Sequence, residues 1–195
     1  TFTYTDAKEA VIDHLDFELC RGERIFLKGS NGCGKSTLIK NILSHIKGES
    51  PSNGKEEGLL KTGSGLTVSY INQDTGFLKG SIREFCKERE LDESLFCALL
   101  RQLDMDRVQF EKNMEDFSEG QKKKVLIASS LMTPAHLYIW DEPLNYIDVF
   151  TRMQIEELLL KYQPTMLLVD HDESFCNRIA PRIIEFLHYN LNDIF

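Results

Sequence analysis

Paired cysteines, long apolar runs and an excess of positive charge are all missing from this sequence. Its five cysteines contain no Cys-x-x-Cys pair, which argues against a disulfide framework or a zinc site and indicates a reducing, cytoplasmic setting. No apolar run approaches the ~20 residues that a membrane-spanning helix needs. The net charge of −8 does not favour nucleic acid, so we expect no direct sequence-specific DNA binding. An RNA partner would have to meet a local patch or another part of a longer protein.

The length and hydrophobic content fit one globular domain. The chain has 195 residues, of which 42% are hydrophobic, enough to bury a core without disulfide bonds. We expect a single domain over residues 1–195, with an α/β core formed by 1–77 and 116–195 and an inserted helical lobe at 78–115. Because the chain starts at Thr1 without methionine and soon becomes strand-like, we expect it to be a piece of a longer protein.

The stretch at residues 29–37 has the composition of a phosphate-binding loop. It reads Gly29, Ser30, Asn31, Gly32, Cys33, Gly34, Lys35, Ser36, Thr37. Its glycines can turn successive backbone N–H groups inward, and a helix that begins there adds its positive dipole end. In such a loop the lysine reaches the β- and γ-phosphates and the following serine offers its hydroxyl to Mg²⁺. The sequence therefore predicts a site for a magnesium-bound nucleoside triphosphate.

The sequence around this loop supplies the strand and the helix that the motif requires. The run 24–28 reads as a short strand, and apolar residues repeat at helical spacing to about Lys47. Upstream, residues 1–19 alternate loosely, and we expect two short strands there that pair antiparallel. Residues 48–65 carry proline and several glycines, which indicates an exposed loop or hairpin. Residues 66–72 are strand-like, and Gln73 follows at their end.

The second half of the chain alternates between helices and apolar strands. After the charged helical segment at 78–115 we expect a helix at 119–132, a strand at 137–140 and a helix at 150–162. A buried strand at 165–169, a short helix after His171 and a strand at 182–187 complete the chain. Apolar strands separated by helices predict an α/β fold with a mainly parallel sheet, helices on both faces and the site at the carboxyl ends of the strands.

Six stretches together resemble, in order and spacing, the motifs of an ATP-binding-cassette (ABC) ATPase, a member of the P-loop NTPases. Residues 29–37 resemble its Walker A motif, Gln73 stands at the Q-loop position, and 117–121 (Phe-Ser-Glu-Gly-Gln) resemble its signature. Residues 137–142 (Leu-Tyr-Ile-Trp-Asp-Glu) resemble Walker B, 144–148 (Leu-Asn-Tyr-Ile-Asp) the D-loop, and His171 the switch histidine. The resemblance covers almost the entire chain.

The resemblance implies a role for each polar residue at this edge of the sheet. Asp141 would order the Mg²⁺ shell, and Glu142 would be the general base that polarises the attacking water. Ser36 would also contact Mg²⁺, and Gln73 would either ligate that ion or hold the attacking water. Lys35 would offset phosphate charge, and His171 would donate a hydrogen bond to the γ-phosphate. Tyr4 would stack on the adenine ring; Phe2 is the alternative for that role, and packing in the core is an alternative role for Tyr4 itself.

The signature implies a partner, because in this family it completes the ATP pocket of a second cassette. Ser118, Gly120 and Gln121 would open the following helix as an anion site. Glu119 replaces the usual glycine, which suits the helix dipole but brings a negative charge near a phosphate. We expect the three lysines at 122–124 to form a solvated face; a polar contact with a partner is the alternative.

Three functions remain open at the level of sequence. The interval between Lys35 and Ser118 is too short for a long coiled-coil arm, which removes one branch of the family. The stretches 118–124, 140–148 and 169–175 look most like the second cassette of ABC-F antibiotic-resistance proteins, which implies ATP-gated ribosome binding through parts of a full-length protein. The alternatives are the motor domain of an ABC transporter and a non-catalytic nucleotide-binding scaffold.

Overall fold

A five-stranded parallel sheet forms the centre of the computed structural model, which describes residues 1–6, 9–50 and 54–186. The strands are β2 (Arg24–Lys28), β4 (Val68–Ile71), β5 (Leu137–Asp141), β6 (Met166–Val169) and β7 (Arg182–Glu185), with β1 and β3 lying outside this sheet. Their order is β4-β5-β6-β2-β7, and each neighbouring pair is parallel. The predicted α/β fold with a parallel sheet flanked by helices is confirmed. Leu187, which we assigned to the last strand, lies outside the described residues.

Both faces of the sheet are buried, as the apolar strands predict. Ile25 and Leu27 pack with Ile39 on one face, whereas Phe26 and Trp140 belong to the core on the other. Neighbouring residues of a strand point to opposite faces, so continuous apolar strands need helices on both sides. The helices are α1 (Lys35–Lys47), α2 (Ile82–Glu88), α3 (Glu93–Gln102), α4 (Glu119–Met132), α5 (Val149–Tyr162) and α6 (Glu173–Ile179). None of the helices in the described residues is long and apolar enough to cross a membrane.

The predicted helical segment at 78–115 contains α2, α3 and the 3-10 turn Arg107–Glu111, and a second 3-10 turn, Met114–Asp116, runs across its end. Ser81 caps α2 through a capping box, and the Asp92 side chain caps α3. Phe96 and Leu100 are fully buried in the same core as Val125 of α4. The segment therefore covers the side of α4 that faces away from the sheet.

That packing makes one prediction wrong, because the lysines after the signature do not form a solvated face. Lys123 is only 3% exposed and Lys124 only 7%. The Nζ atom of Lys123 donates to the Asn72 carbonyl at 3.2 Å, and that of Lys124 to the Asp104 carbonyl at 3.1 Å. Helix α4 lies between the sheet and the helical segment, so its sides are covered. The buried ammonium groups bond to these carbonyl oxygens and, for Lys124, also to the Asp148 carboxylate at 3.0 Å, instead of to water.

The amino-terminal part also differs from the expectation of two strands within residues 1–19. Among the described residues there, only β1 (Phe2–Tyr4) is a strand, and Ile12 forms an isolated bridge with Phe2. The antiparallel partner of β1 is β3 (Gly54–Glu56), from the stretch that we expected to be a loop or hairpin. Gly54 permits the pairing because a Cβ there would lie 2.2 Å from the Phe2 ring.

Candidate active site

The phosphate-binding loop at residues 29–37, here termed the phosphate cradle, comprises the connection from β2 to α1 and the first residues of α1. Its backbone suits a bound phosphate. Gly32 and Gly34 adopt left-handed conformations, with φ of 81° and 104°. A Cβ on Gly34 would lie 2.8 Å from the Val11 carbonyl oxygen, so the position also lacks room for a side chain. No side chain caps the start of α1. The first N–H groups of the helix are therefore available to a bound anion.

Lys35 lies within the curve of this loop. Its Nζ atom donates to the carbonyl oxygens of Gly29 at 2.7 Å and Ser30 at 2.8 Å. The side chain is buried, and the Cys33 sulfur lies 3.7 Å from the same nitrogen. Ser30 and Asn31 are exposed at the rim of the loop. The cradle thus combines a fixed cation with a row of backbone donors, which suits a polyphosphate.

Ser36 and Asp141 meet beside the cradle and form a donor set for a hard cation. The Ser36 hydroxyl donates to Asp141 Oδ2 at 3.2 Å. Asp141 is 4% exposed, and its Oδ1 atom is buried without a hydrogen-bond partner. Burial raises the pKa of Asp141, although the Ser36 hydrogen bond opposes that shift. A buried carboxylate oxygen that lacks a partner beside a hydroxyl fits Mg²⁺, which favours oxygen ligands.

The described residues contain no cluster of three or more His, Cys, Asp or Glu side chains that could hold a metal. Mg²⁺ is commonly bound through one or two carboxylates together with waters and substrate phosphates. A single carboxylate and one hydroxyl next to a phosphate cradle therefore remain compatible with that ion.

Glu142 follows β5 directly, and its carboxylate contacts one residue from each of two neighbouring loops. Its backbone N–H donates to the Val169 carbonyl at 2.8 Å, and its φ of 53° is left-handed. Glu142 Oε1 lies 3.2 Å from His171 Nε2, and Oε2 accepts a hydrogen bond from Asn145 Nδ2 at 2.9 Å. The structure thus brings together Glu142 and His171, the residues that the resemblance identifies as the general base and the switch histidine.

Gln73 lies beyond the end of β4 and is exposed. Strand β4 neighbours β5, so Gln73 and Asp141 share the carboxyl edge of the sheet. The structure therefore places Gln73 at the edge of the sheet where the other predicted site residues lie. Thr75 and Phe77 follow it in the same segment.

Of the two aromatic candidates near the cradle, only one is exposed. Phe2 is 2% exposed and packs edge-on against Tyr4, with ring centroids 5.2 Å apart. Tyr4 is 36% exposed, and its hydroxyl shares a 2.6 Å hydrogen bond with the Thr37 hydroxyl at the end of the cradle. Burial removes Phe2 as a stacking residue and leaves Tyr4 with an accessible ring.

The signature residues form the N-terminus of α4. Ser118 and Gln121 make a capping box: the Ser118 hydroxyl accepts from Gln121 N at 3.3 Å, and Gln121 Oε1 accepts from Ser118 N at 3.0 Å. Gly120 lies against the D-loop, where a Cβ would be 2.5 Å from the Tyr146 carbonyl oxygen. Ser118 is exposed, and it lies at a helix N-terminus that favours negative charge.

Three further polar residues reach the site without having been predicted for it: Asn145 of the D-loop, Asp170 and Thr75. Asn145 contacts Glu142, Asp170 accepts from the D-loop backbone, and Thr75 contacts Glu119. Each is a polar residue one to three positions from a recognised motif residue. Their closeness in sequence to a motif residue could have marked them as candidates, although it does not show which side chain each one contacts.

Comparison with known proteins agrees with this geometry. The sequence profile of the ABC transporter family matches residues 12–145, and the chain belongs to that family. It is an ATP-binding cassette domain, of a kind that works in pairs and generally hydrolyses ATP.

Two curated relatives and one solved structure illustrate the similarity. The chain is 31% identical over 180 residues to ATP-binding protein Uup of Buchnera aphidicola subsp. Acyrthosiphon pisum, covering 88% of this chain and 29% of that protein. It is 30% identical over 168 residues to ABC transporter F family member 5 of Arabidopsis thaliana, covering 85% of this chain and 24% of that protein.

The solved complex of archaeal ribosomal stalk protein aP1 with archaeal ribosome recycling factor aABCE1 contains a chain of the same fold. It aligns with a TM-score of 0.64 at 25% identity and covers 94% of this chain and 39% of that one. The chain thus spans less than two fifths of the length of each of these three proteins.

Proposed function

We propose that this chain binds Mg·ATP and hydrolyses its terminal phosphoanhydride bond. The observation that carries the proposal is the convergence of the Lys35 cradle, the Ser36–Asp141 pair and the Glu142–His171 pair at one edge of the sheet. Each supplies a separate requirement of phosphoryl transfer to water: positioning of the phosphates, a metal site and a base for the attacking water.

Each of these residues has a separate part in binding or hydrolysis. Ser36 and Asp141, with Gln73 nearby, would hold Mg²⁺, which neutralises phosphate charge when bound. The backbone donors of residues 29–37 and the Lys35 ammonium orient the triphosphate. Glu142 accepts the proton of the attacking water, because its carboxylate lies beside the cradle at the carboxyl ends of the strands. His171 Nε2 lies 3.2 Å from that carboxylate, and with nucleotide bound the imidazole would donate its N–H to the terminal phosphate.

The active site is completed by a second cassette in this proposal. Ser118 and Gly120 stand at the N-terminus of α4, where the Ser118 side chain is exposed. In the sequence, the helical segment separates them from the chain's own cradle. In the two-cassette arrangement of the family, this helix N-terminus binds a phosphate of the ATP that the partner cassette holds. We therefore expect an isolated copy of the chain to bind ATP weakly and to hydrolyse it slowly.

Paired substitutions test hydrolysis in the full-length protein. Glu142→Gln should retain ATP binding and lose most turnover, whereas Lys35→Ala should lose ATP binding. Lys40→Ala and Glu157→Gln are matched controls, because both side chains are exposed on helices α1 and α5. Unchanged turnover in Glu142→Gln would refute the proposed base and point to another one, whereas a parent protein that binds ATP without turnover would be a non-catalytic scaffold.

We further propose that the full-length protein is a cytoplasmic ABC-F protein with two cassettes that acts on the ribosome and confers antibiotic resistance. The similarity to ABC transporter F family member 5 and to the chain from the ribosome recycling factor complex supports this branch. The short helical segment between β4 and α4 supports it as well, since a transporter motor generally uses more residues there to dock a membrane domain.

Ribosome pelleting of the full-length Glu142→Gln protein tests this branch. ATP should cause the protein to sediment with ribosomes, and ADP should not. Failure to sediment with ATP, in a variant that still binds ATP, would contradict a ribosomal role and favour the transporter motor. Growth of cells that express the protein, in the presence of drugs that target the peptidyl-transferase region, tests resistance separately.

A further inference from the structure

The Glu142 carboxylate is held at both of its oxygen atoms, and one of the two partners has no assigned role. His171 faces Oε1 at 3.2 Å, while the side-chain amide of Asn145 donates to Oε2 at 2.9 Å. Glu142 itself has a left-handed backbone, with φ of 53°. A residue in that conformation is uncommon and needs surrounding contacts to hold it. Asn145 supplies such a contact at the reacting end of the side chain.

The two loops that hold Glu142 are themselves joined through one buried residue. Asp170, at the end of β6, accepts hydrogen bonds from the backbone of Leu144 at 3.2 Å and of Asp172 at 3.0 Å. Leu144 precedes Asn145, and Asp172 follows His171. Because a single carboxylate fixes both loops, the amide and the imidazole approach the Glu142 carboxylate from a common support.

An amide is well suited to this position because it carries no charge. A lysine or arginine would also orient the carboxylate but would neutralise the base, and an alanine would leave Oε2 free to rotate away. The hydrogen bond from Asn145 restricts the carboxylate while leaving its charge available to accept a proton. The amide does not need to contact the nucleotide to affect turnover.

We propose that Asn145 is a positioning residue that orients the Glu142 carboxylate toward the attacking water. The inference rests on the proposed function, because it concerns the same base. It predicts an effect on turnover rather than on ATP binding, and it predicts that the effect exists only when Glu142 is present.

A double-mutant cycle in the full-length protein separates this role from a structural one. Asn145→Ala should lower kcat by about tenfold and leave KM for ATP within about twofold, as expected when orientation of a general base is lost. In the Glu142→Gln background, the same change should cause no further loss of the residual single-turnover rate. Asn177→Ala is the control, since Asn177 is exposed on α6.

Asn145→Asp provides a second variant of nearly the same shape, in case the alanine variant folds poorly. It replaces the donor by a carboxylate beside Glu142, so its kcat should fall at least as far as that of the alanine variant. Unchanged kcat in both variants, or equal losses with and without Glu142, would overturn the inference. Full turnover of Glu142→Gln alone would instead refute the proposed function, so the two failures are distinguishable.

Discussion

The Thr75 hydroxyl donates a hydrogen bond to the Glu119 carboxylate at 2.8 Å, which joins the segment after Gln73 to the first turn of α4. The other Glu119 oxygen accepts from Lys122 Nζ at 3.0 Å. The Lys122 and Thr75 hydrogen bonds lower the pKa of Glu119. The residue that departs from the family's glycine therefore directs its charge to groups of its own chain. Lys123 of α4 adds a second connection through the Asn72 carbonyl, so two hydrogen bonds link the segment around Gln73 to the start of α4.

Replacing Thr75 by valine should weaken this link. Thr75 is buried, and valine has nearly the same shape but cannot donate, so we expect unfolding free energy to fall by about 1 kcal/mol. Urea unfolding of Thr75→Val, Glu119→Gln and the double variant measures the coupling. If the two single changes add fully in the double variant, the hydrogen bond makes no contribution of its own.

Much of the fold was predictable because its signals are local. The apolar runs of β5 and β6 and the glycine-rich turn before α1 each carry their own pattern, and short connections in parallel α/β units leave few ways to assemble them. The pairing of β1 with β3 was missed because Phe2 and Glu56 are far apart in sequence. Nothing near either residue indicates that partner.

The site likewise contains residues that a local motif identifies and residues whose contacts form only when distant parts of the chain pack together. The sequence indicated Lys35, Asp141, Glu142 and His171, because each stands at a fixed place in a motif or at a strand end. It could not place Asn145 against Glu142, since that contact depends on the path of the D-loop across the sheet edge. The burial of Lys123 depends on the helical segment that covers α4, which a charge run in the sequence does not reveal.

Two glycines of the cradle should differ in their tolerance of alanine. Both have left-handed backbones, so either change costs about 1–2 kcal/mol of stability from the Cβ alone. Gly32 has open space around it, whereas a Cβ on Gly34 would lie 2.8 Å from the Val11 carbonyl. Gly34→Ala should therefore unfold at lower urea concentration than Gly32→Ala and lose more ATP affinity. Equal midpoints would mean that the Val11 segment moves away without cost.

Asp141 should give the protein a distinctive dependence of stability on pH in the absence of Mg²⁺. Because burial raises its pKa above the ordinary 3.8, the folded state holds the proton at pH values where the unfolded chain has lost it. Stability then falls as pH rises through the interval above 3.8. Asp141→Asn should therefore be more stable than the parent at pH 7, with a difference that shrinks toward pH 4.

Asp148 provides the control of opposite sign. Burial opposes the shift, but hydrogen bonds from Thr151 and Lys124 hold the pKa of Asp148 well below 3.8. Its contribution is present above 3.8 and is lost as pH falls below that value. Asp148→Ala also removes the N-cap of α5 and should lower stability at pH 7 by about 1 kcal/mol. Thermal unfolding of both variants and the parent from about pH 2 to pH 7 measures the two dependences. The account would be contradicted if Asp141→Asn were less stable than the parent at neutral pH, or if the deficit of Asp148→Ala did not shrink below pH 3.8.

Tyr4 and Phe2 should separate nucleotide binding from folding. Phe2 is buried, so Phe2→Ala should lower unfolding free energy by about 3–5 kcal/mol. The Tyr4 ring is partly exposed beside the cradle, and Tyr4→Ala should cost less than about 1 kcal/mol of stability. If that ring stacks on adenine, its loss should weaken ATP binding by about tenfold, which corresponds to about 1.4 kcal/mol. Titration calorimetry and urea unfolding measure the two effects.

Tyr4→Phe distinguishes the ring from its hydroxyl. The phenylalanine variant keeps the aromatic face but loses the 2.6 Å hydrogen bond to Thr37. Stacking by the ring predicts that this variant binds ATP nearly as well as the parent and that only the alanine variant is weak. If both variants lose affinity equally, Tyr4 acts by fixing Thr37 at the end of the cradle, because the hydroxyl is the group that both changes remove. If neither loses affinity, Tyr4 has no part in nucleotide binding, and its contacts with the Phe2 ring and the Thr37 hydroxyl serve the fold alone.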